Sequence, residues 1–173
     1  IFGILFAGSA SAASVTTISL GDFNAYIADF NVRALDFRIS VDEPDILDTF
    51  SVNVNGGGVF FRDYFNVQLW MDTGDDGFQG WGYDQFITQA PQIGAPFIFS
   101  GLNVPIVESE RFFVTIDIGT TGFPPNTIEF ILTPPNDFNG DDAYQEGESG
   151  VFLESGVISS LFGGNSRRIS LIP

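Results

Sequence analysis

The sequence contains no cysteine and no histidine, and all six basic residues are arginine because lysine is also absent. These absences exclude disulfides, cysteine nucleophiles, Ser-His-Asp triads and zinc sites built from cysteine and histidine. The missing lysine also excludes Schiff-base chemistry and a P-loop. Carboxylate chemistry is what remains for catalysis, and oxygen ligation is what remains for a metal, which favours calcium.

Positive charge is scarce, because 22 acidic residues stand against 6 basic ones and the net charge is −16. Nucleic-acid binding needs clustered basic residues that neutralise phosphates, so we predict no nucleic-acid partner. Long apolar runs are also scarce. The most apolar stretch, residues 1–14, is shorter than the roughly 20 residues that a membrane-spanning helix needs, so we predict no transmembrane anchor.

Phenylalanine and glycine are abundant, with 20 of each in 173 residues. Aromatic and β-branched residues alternate with polar ones in short segments that Gly, Asn and Asp separate. No segment longer than about ten residues shows helical periodicity. The pattern predicts an all-β protein, an antiparallel immunoglobulin-like β-sandwich with a jelly-roll-like arrangement as the alternative. The predicted core comprises apolar residues on the alternating faces: Val52, Val67, Leu69, Val114, Ile116, Ile128 and Phe130.

Residues 1–14 form a predicted extended apolar arm. With a period of two, Phe2, Ile4 and Phe6 lie on one face of the arm and Leu5 lies on the other. A strand that is apolar on both faces requires burial on both faces, either in the core of its own chain or in a groove of a neighbouring subunit. The alternative is a secretory signal remnant, since small residues follow the apolar run as they do at a cleavage site.

Four segments of the chain, taken as a series, resemble the immunoglobulin-like sandwich modules of large secreted and surface-layer proteins of archaea and bacteria. These segments are residues 21–34, 65–77, 99–106 and 110–118. The resemblance covers about residues 18–133 and implies a sandwich fold in a secreted or surface protein. The layout of an apolar arm before one domain is similar to that of extracellular filament subunits joined by donor-strand complementation. In those filaments the N-terminal strand of one subunit completes the sandwich of the next.

The acidic segment 137–148 is a candidate calcium site. Asp137, Asn139 and Asp141 occupy positions one, three and five, and Glu148 occupies position twelve, which resembles a dockerin-type calcium loop. The segment departs from that pattern because position six is not glycine and no helical pattern flanks it. The alternative is an acidic surface loop.

A second acidic segment, residues 72–84, offers Asp72, Asp76 and Asp84 as calcium ligands. Asp84 lies twelve residues after Asp72, and a cation would relieve the repulsion between the carboxylates. A glycine at the third position departs from the calcium-loop pattern. The alternative is a glycine-rich solvated turn, in which Asp is favoured for its backbone hydrogen bonding.

The aromatic residues of the same segment, Phe78, Trp81 and Tyr83, form a candidate stacking platform for sugars, with core or subunit contacts as the alternative. Glu108 and Glu110 are two residues apart, but nothing marks them as the carboxylate pair of a glycosidase. We therefore predict no catalytic residue, no enzymatic activity and no small-molecule substrate.

These observations predict an arm, residues 1–14, followed by a β-sandwich domain, residues 15–173. The predicted function is that of a secreted structural subunit that forms a homopolymer outside the cell, with Phe2, Ile4, Leu5 and Phe6 as polymerisation contacts. The alternative is a calcium-dependent cell-surface or carbohydrate-binding β-sandwich module. Calcium is the candidate cofactor in both cases.

Overall fold

The computed structural model describes residues 12–91, 94–121, 124–141, 143–158, 161–162 and 166–172, and of residues 161–162 it describes the backbone alone. None of the residues in these ranges lies in a helix. Two β-sheets pack face to face around one apolar core, so the predicted all-β sandwich is confirmed.

The strands of the described ranges are short, as the closely spaced turn residues predicted. In chain order they are β1 (Ala13–Thr17), β2 (Phe23–Tyr26), β3 (Val32–Val41), β4 (Asp45–Asn55), β5 (Tyr64–Met71), β6 (Gln85–Gln89), β7 (Phe97–Phe99), β8 (Val104–Ile106), β9 (Ser109–Ile118), β10 (Thr127–Leu132), β11 (Val151–Leu153), β12 (Gly156–Val157), β13 (Leu161–Phe162) and β14 (Ile169–Ile172).

The six-stranded sheet has the order β13-β1-β3-β9-β5-β6, and the eight-stranded sheet contains the path β12-β11-β4-β10-β14-β2. β7 and β8 pair with the other side of β4, since Val52 of β4 lies opposite both Leu132 of β10 and Phe97 of β7. Most pairs are antiparallel, as predicted. The pairs β1–β13 and β2–β14 are parallel, which the alternating pattern could not reveal.

The core lies between the two sheets and contains all seven residues predicted for it, each at most 2% exposed. Aromatic rings connect the sheets at the centre. The ring of Phe37 on β3 lies 5.4 Å from that of Phe50 on β4, and Phe50 stacks on Phe99 of β7 at 4.7 Å. Large aromatic side chains bury much apolar surface, so these contacts hold the two sheets together.

One residue of β5 departs from the predicted alternation. Trp70 belongs to the face opposite Leu69, yet its side chain is fully buried. Its indole contacts Phe78, Trp81 and Phe86, which cover the outer face of the six-stranded sheet. A period of two identifies the face on which a side chain lies, but it does not show that a loop covers that face.

We expect Ile116→Ala to lower the free energy of unfolding by about 2–5 kcal/mol, because the substitution leaves a cavity at a fully buried position. Urea unfolding followed by circular dichroism measures the change. Val59→Ala is the control, since Val59 is 48% exposed and its truncation should change stability by about 0.5 kcal/mol or less. Equal losses in both variants would contradict the assigned core.

Candidate functional site

The first candidate site is a groove between the outer strands of the two sheets, which we call the edge groove. Among the described residues, β6 pairs with β5 alone and β8 pairs with β4 alone, so each strand has one open edge. The space between them has a volume of about 280 Å³. Its lining residues come from both sheets: Met71, Gln85, Phe86, Ile87, Leu102, Asn103, Val104 and Pro105.

Both apolar and polar groups line the edge groove. Val104 is buried, while Ile87 and Leu102 are half-buried and pack against the core. Gln85 and Asn103 are exposed at the rim. An open strand edge carries main-chain groups that pair with an added strand, and adjacent apolar pockets accept alternate side chains of that strand. The groove therefore has the features that bind an extended apolar segment.

A second pocket of about 270 Å³ lies beside the same strand, β8, and shares Pro105 with the edge groove. Its other lining residues are Pro44, Asp45, Ile46, Ile106, Val107 and Glu154. Val107 is 59% exposed at this position. The two pockets therefore lie on either side of Pro105, the exposed residue of β8.

The predicted arm leads toward this end of the sandwich. Ala13 and Ser14, the last residues of the predicted arm, belong to β1 and pair with Val41 and Ser40. The carbonyl of Ala12 accepts a hydrogen bond from the Asp42 N–H at 3.1 Å. The turn after Val41 leads directly to the residues of the second pocket. The predicted contacts Phe2, Ile4, Leu5 and Phe6 lie outside the described residues.

The predicted calcium ligands of segment 72–84 bind groups of the protein itself. Asp72 accepts hydrogen bonds from the N–H groups of Gly74 at 3.1 Å and Gly77 at 3.0 Å. Asp84 accepts from the N–H groups of Gln79 at 2.6 Å and Gly80 at 2.7 Å.

The Gln79 side chain binds the third predicted ligand of this segment, Asp76. The structure therefore assigns the three carboxylates separate partners and does not bring them together.

An ion-pair network around one buried carboxylate connects this segment to the six-stranded sheet. Asp36 of β3 has no exposed surface and accepts two hydrogen bonds from Arg111, at 3.0 and 2.8 Å, and one from Arg33 at 3.3 Å. The same Arg111 guanidinium lies 3.6 Å from Asp72. The hydrogen bond with Asp36, together with the charges of Asp36, Asp72 and Asp75, raises the pKa of Arg111, so that it stays charged.

Sequence reasoning missed this network. The available signal was the run of charged residues at positions 33, 36 and 38 inside a predicted strand, where a solvent-facing polar stripe is the ordinary interpretation. The partner, Arg111, lies on another strand, β9. The register that places Arg111 opposite Arg38 of β3 arises from the fold and cannot be read from the sequence.

The aromatic residues of the same segment divide into two groups. Phe78 packs inward, edge-on to Trp70 and to Phe113, with ring centroids 5.5 and 5.4 Å apart. Trp81 and Tyr83 remain 66% and 68% exposed. Two of the three residues predicted as a stacking platform therefore lie at the surface, and the third packs against Trp70, the ring that Trp81 also contacts.

Segment 137–148 carries the other predicted calcium ligands. Asp137 accepts hydrogen bonds from the N–H groups of Asn139 and Gly140, and Asp141 accepts one from the Asn139 side chain. Glu148 is 2% exposed, and its Oε2 accepts a hydrogen bond of 2.6 Å from the Gln145 N–H.

The other oxygen of Glu148, Oε1, is buried and has no hydrogen-bond partner among the described residues. Burial, followed by the charges of Glu146 and Glu148, raises the pKa of Tyr144 in the same segment. Within the described ranges, no three acidic side chains are placed to share a metal ion. The unpaired oxygen of Glu148 is nevertheless costly to bury, because a carboxylate oxygen is a strong acceptor.

No model of a known protein family matches this chain, and a search among curated proteins finds no similar sequence. The resemblance to immunoglobulin-like modules therefore stays a prediction. The described residues include no helix with the length and apolar character needed to cross a membrane.

We expect Arg111→Met to lower the free energy of unfolding by about 3–5 kcal/mol, because Asp36 would stay buried without its main partner. Arg38→Met is the matched control, since Arg38 pairs with Asp75 at positions that are 31% and 67% exposed. An exposed pair contributes about 1 kcal/mol or less. Urea unfolding of both variants measures the difference, and losses of equal size would contradict the network.

Proposed function

We propose that the protein is a structural subunit of an extracellular filament. Each subunit inserts residues 1–11 of its apolar arm into the edge groove of the adjacent subunit. The observation that carries this proposal is the pair of strand edges, β6 and β8, that are open among the described residues and that border a groove lined partly by apolar side chains. Phe2, Ile4 and Phe6 have the spacing that places alternate side chains on one face of an added strand.

The energies involved support such a contact. Burying three large apolar side chains contributes about 5–9 kcal/mol, and main-chain pairing along the open edges adds to it. Association costs about 4–15 kcal/mol in lost freedom, so the side-chain and main-chain contributions are both needed to offset it. The net charge of −16 on each subunit opposes assembly, and salt screens this repulsion. A head-to-tail contact of this kind continues into a fibre rather than closing as a dimer.

The arm of a subunit is also long enough to reach its own groove. Between β1 and β6 lie four inter-strand spacings, about 19 Å. Eleven extended residues span up to about 36–40 Å. An arm that is apolar on both faces is buried by either arrangement, and we propose exchange between subunits. The experiment below distinguishes exchange from self-insertion.

We expect two complementary variants to be monomeric alone and to form a pair when they are mixed. The first lacks residues 1–11 and keeps β1 intact. The second keeps the arm but carries Ile87→Lys and Leu102→Lys, which place charges in the groove floor. Because one supplies a groove and the other an arm, the mixture should give 1:1 heterodimers, measured by light scattering after size-exclusion chromatography.

The control carries Val59→Lys, at an exposed position outside the groove, and should assemble like the unmodified protein. Filaments from the variant without residues 1–11 would overturn the proposal. A mixture that stays monomeric, or an unmodified protein that is itself monomeric, would also overturn it and would instead favour self-insertion.

A second candidate function, a calcium-dependent surface module, is favoured by the unpaired buried oxygen of Glu148. A divalent cation bound by Glu148 together with Asp137, Asn139 and Asp141 would compensate that oxygen. Binding requires these side chains to move closer together, since within the described ranges they do not share a site.

If calcium binds here, the unmodified protein gains about 2.7 kcal/mol at a calcium concentration one hundred times Kd. Glu148→Gln should lose this gain, whereas Glu146→Gln, an exposed residue of the same segment, should keep it. Thermal unfolding with calcium and with chelator measures both. An unmodified protein that melts at the same temperature in both conditions would contradict the calcium site.

A further inference from the structure

The side chain of Trp81 is both exposed and immobilised. Although 66% of it is accessible, its indole stacks on Phe86, with centroids 5.2 Å apart and an interplanar angle of 28°. Its ring also lies 4.9 Å from Trp70 at 82°, and the Trp70 Nε1–H donates to Thr115 Oγ1 at 3.0 Å. The half-buried Phe86 and the buried Trp70 thus hold the exposed ring from below.

The backbone that carries Trp81 and Tyr83 is also held by several contacts. The buried Asp84 carboxylate accepts hydrogen bonds from two N–H groups at the start of the turn. The Tyr83 N–H donates to the Gly80 carbonyl at 3.1 Å, and the Thr73 hydroxyl donates to the Tyr83 carbonyl. Gly80 and Gly82 flank Trp81 with φ values of 83° and 90°, which other residues rarely adopt.

We propose that Trp81 and Tyr83 bind a neutral polysaccharide by stacking against the faces of its pyranose rings. A pyranose presents C–H groups on its faces and hydroxyl groups around its rim. The C–H groups are attracted to the negative face of an aromatic ring, and their apolar surface is removed from water. Gln85 is exposed at the start of β6, where its side chain can bind hydroxyl groups, whereas the side chain of Gln79 is already paired with Asp76. A surface fixed before binding loses little entropy on binding.

The size of this patch and its electrostatics favour a neutral sugar over other partners. Two exposed rings cover far less than the roughly 800 Å² per partner of a standard protein interface. The net charge of −16 repels phosphate groups and uronic acids. The nearby carboxylates of Asp72 and Asp75 are already paired with Arg111 and Arg38, which weakens attraction for a cation.

The experiment uses tryptophan fluorescence, because the protein has two tryptophans, of which Trp70 is buried and Trp81 exposed. The probes are cellohexaose, chitohexaose and mannohexaose, with polygalacturonate as the anionic probe and choline chloride as the cationic one. We expect at least one neutral oligosaccharide to shift the emission to shorter wavelength and to protect Trp81 from quenching by acrylamide. The anionic and cationic probes should do neither.

Binding by variants is measured by isothermal titration calorimetry with the neutral oligosaccharide that binds. Trp81→Ala should weaken binding at least about tenfold, because truncating a central aromatic contact commonly costs more than the 1.4 kcal/mol that a tenfold change represents. Phe30→Ala is the matched control, since Phe30 is 67% exposed and follows Asp29, which is hydrogen-bonded to Ile118 at the opposite end of β9 from segment 72–84. It should bind like the unmodified protein.

Three results would overturn this proposal: no neutral oligosaccharide binds, only polygalacturonate or choline binds, or Phe30→Ala loses as much affinity as Trp81→Ala. The proposal does not rest on filament assembly. The variant that lacks residues 1–11 should therefore bind the oligosaccharide as the unmodified protein does.

Discussion

The packing of the two sheets against each other determines where every other feature of the molecule lies. Phe37 of one sheet meets Phe50 of the other, and the flanking apolar residues complete a core that excludes water. Two sheets that pack face to face leave their outermost strands with unpaired edges. On the flank formed by β6 and β8, those edges border apolar side chains rather than charged ones. The same packing that stabilises the fold therefore leaves these strand edges open among the described residues.

The outer face of the six-stranded sheet carries groups that must be shielded from water: Trp70, Phe113 and the buried carboxylate of Asp36. Segment 72–84 covers the two aromatic side chains. Arg111 connects this segment to Asp36 and lies 5.2 Å above the Phe113 ring. Arg111 therefore contacts two carboxylates and one aromatic ring. These contacts compensate the burial of the Asp36 carboxylate within the six-stranded sheet.

The sequence was sufficient to predict the sandwich and its core, because residues such as Val114 and Ile116 alternate with a period of two over long strands. It was insufficient for Trp70, whose burial depends on a distant loop. The acidic segments show a further limit. Asp72 and Asp84 have the spacing of cation ligands, but their partners are backbone N–H groups whose directions arise from the fold. The burial of Glu148 likewise depends on packing and not on its neighbours in sequence.

Disulfide trapping can detect exchange of the arm between subunits without interference, because the chain has no cysteine of its own. One chain would carry Phe6→Cys in the arm and another Ile87→Cys in the edge groove. A disulfide requires the two Cβ atoms to approach to about 3.5–4.5 Å. The account predicts a disulfide-linked heterodimer after mild oxidation, and much less with Val59→Cys in place of Ile87→Cys. Equal yields from the two pairs would contradict exchange between subunits. A third variant that carries both Phe6→Cys and Ile87→Cys would also contradict it if its disulfide formed solely within one chain.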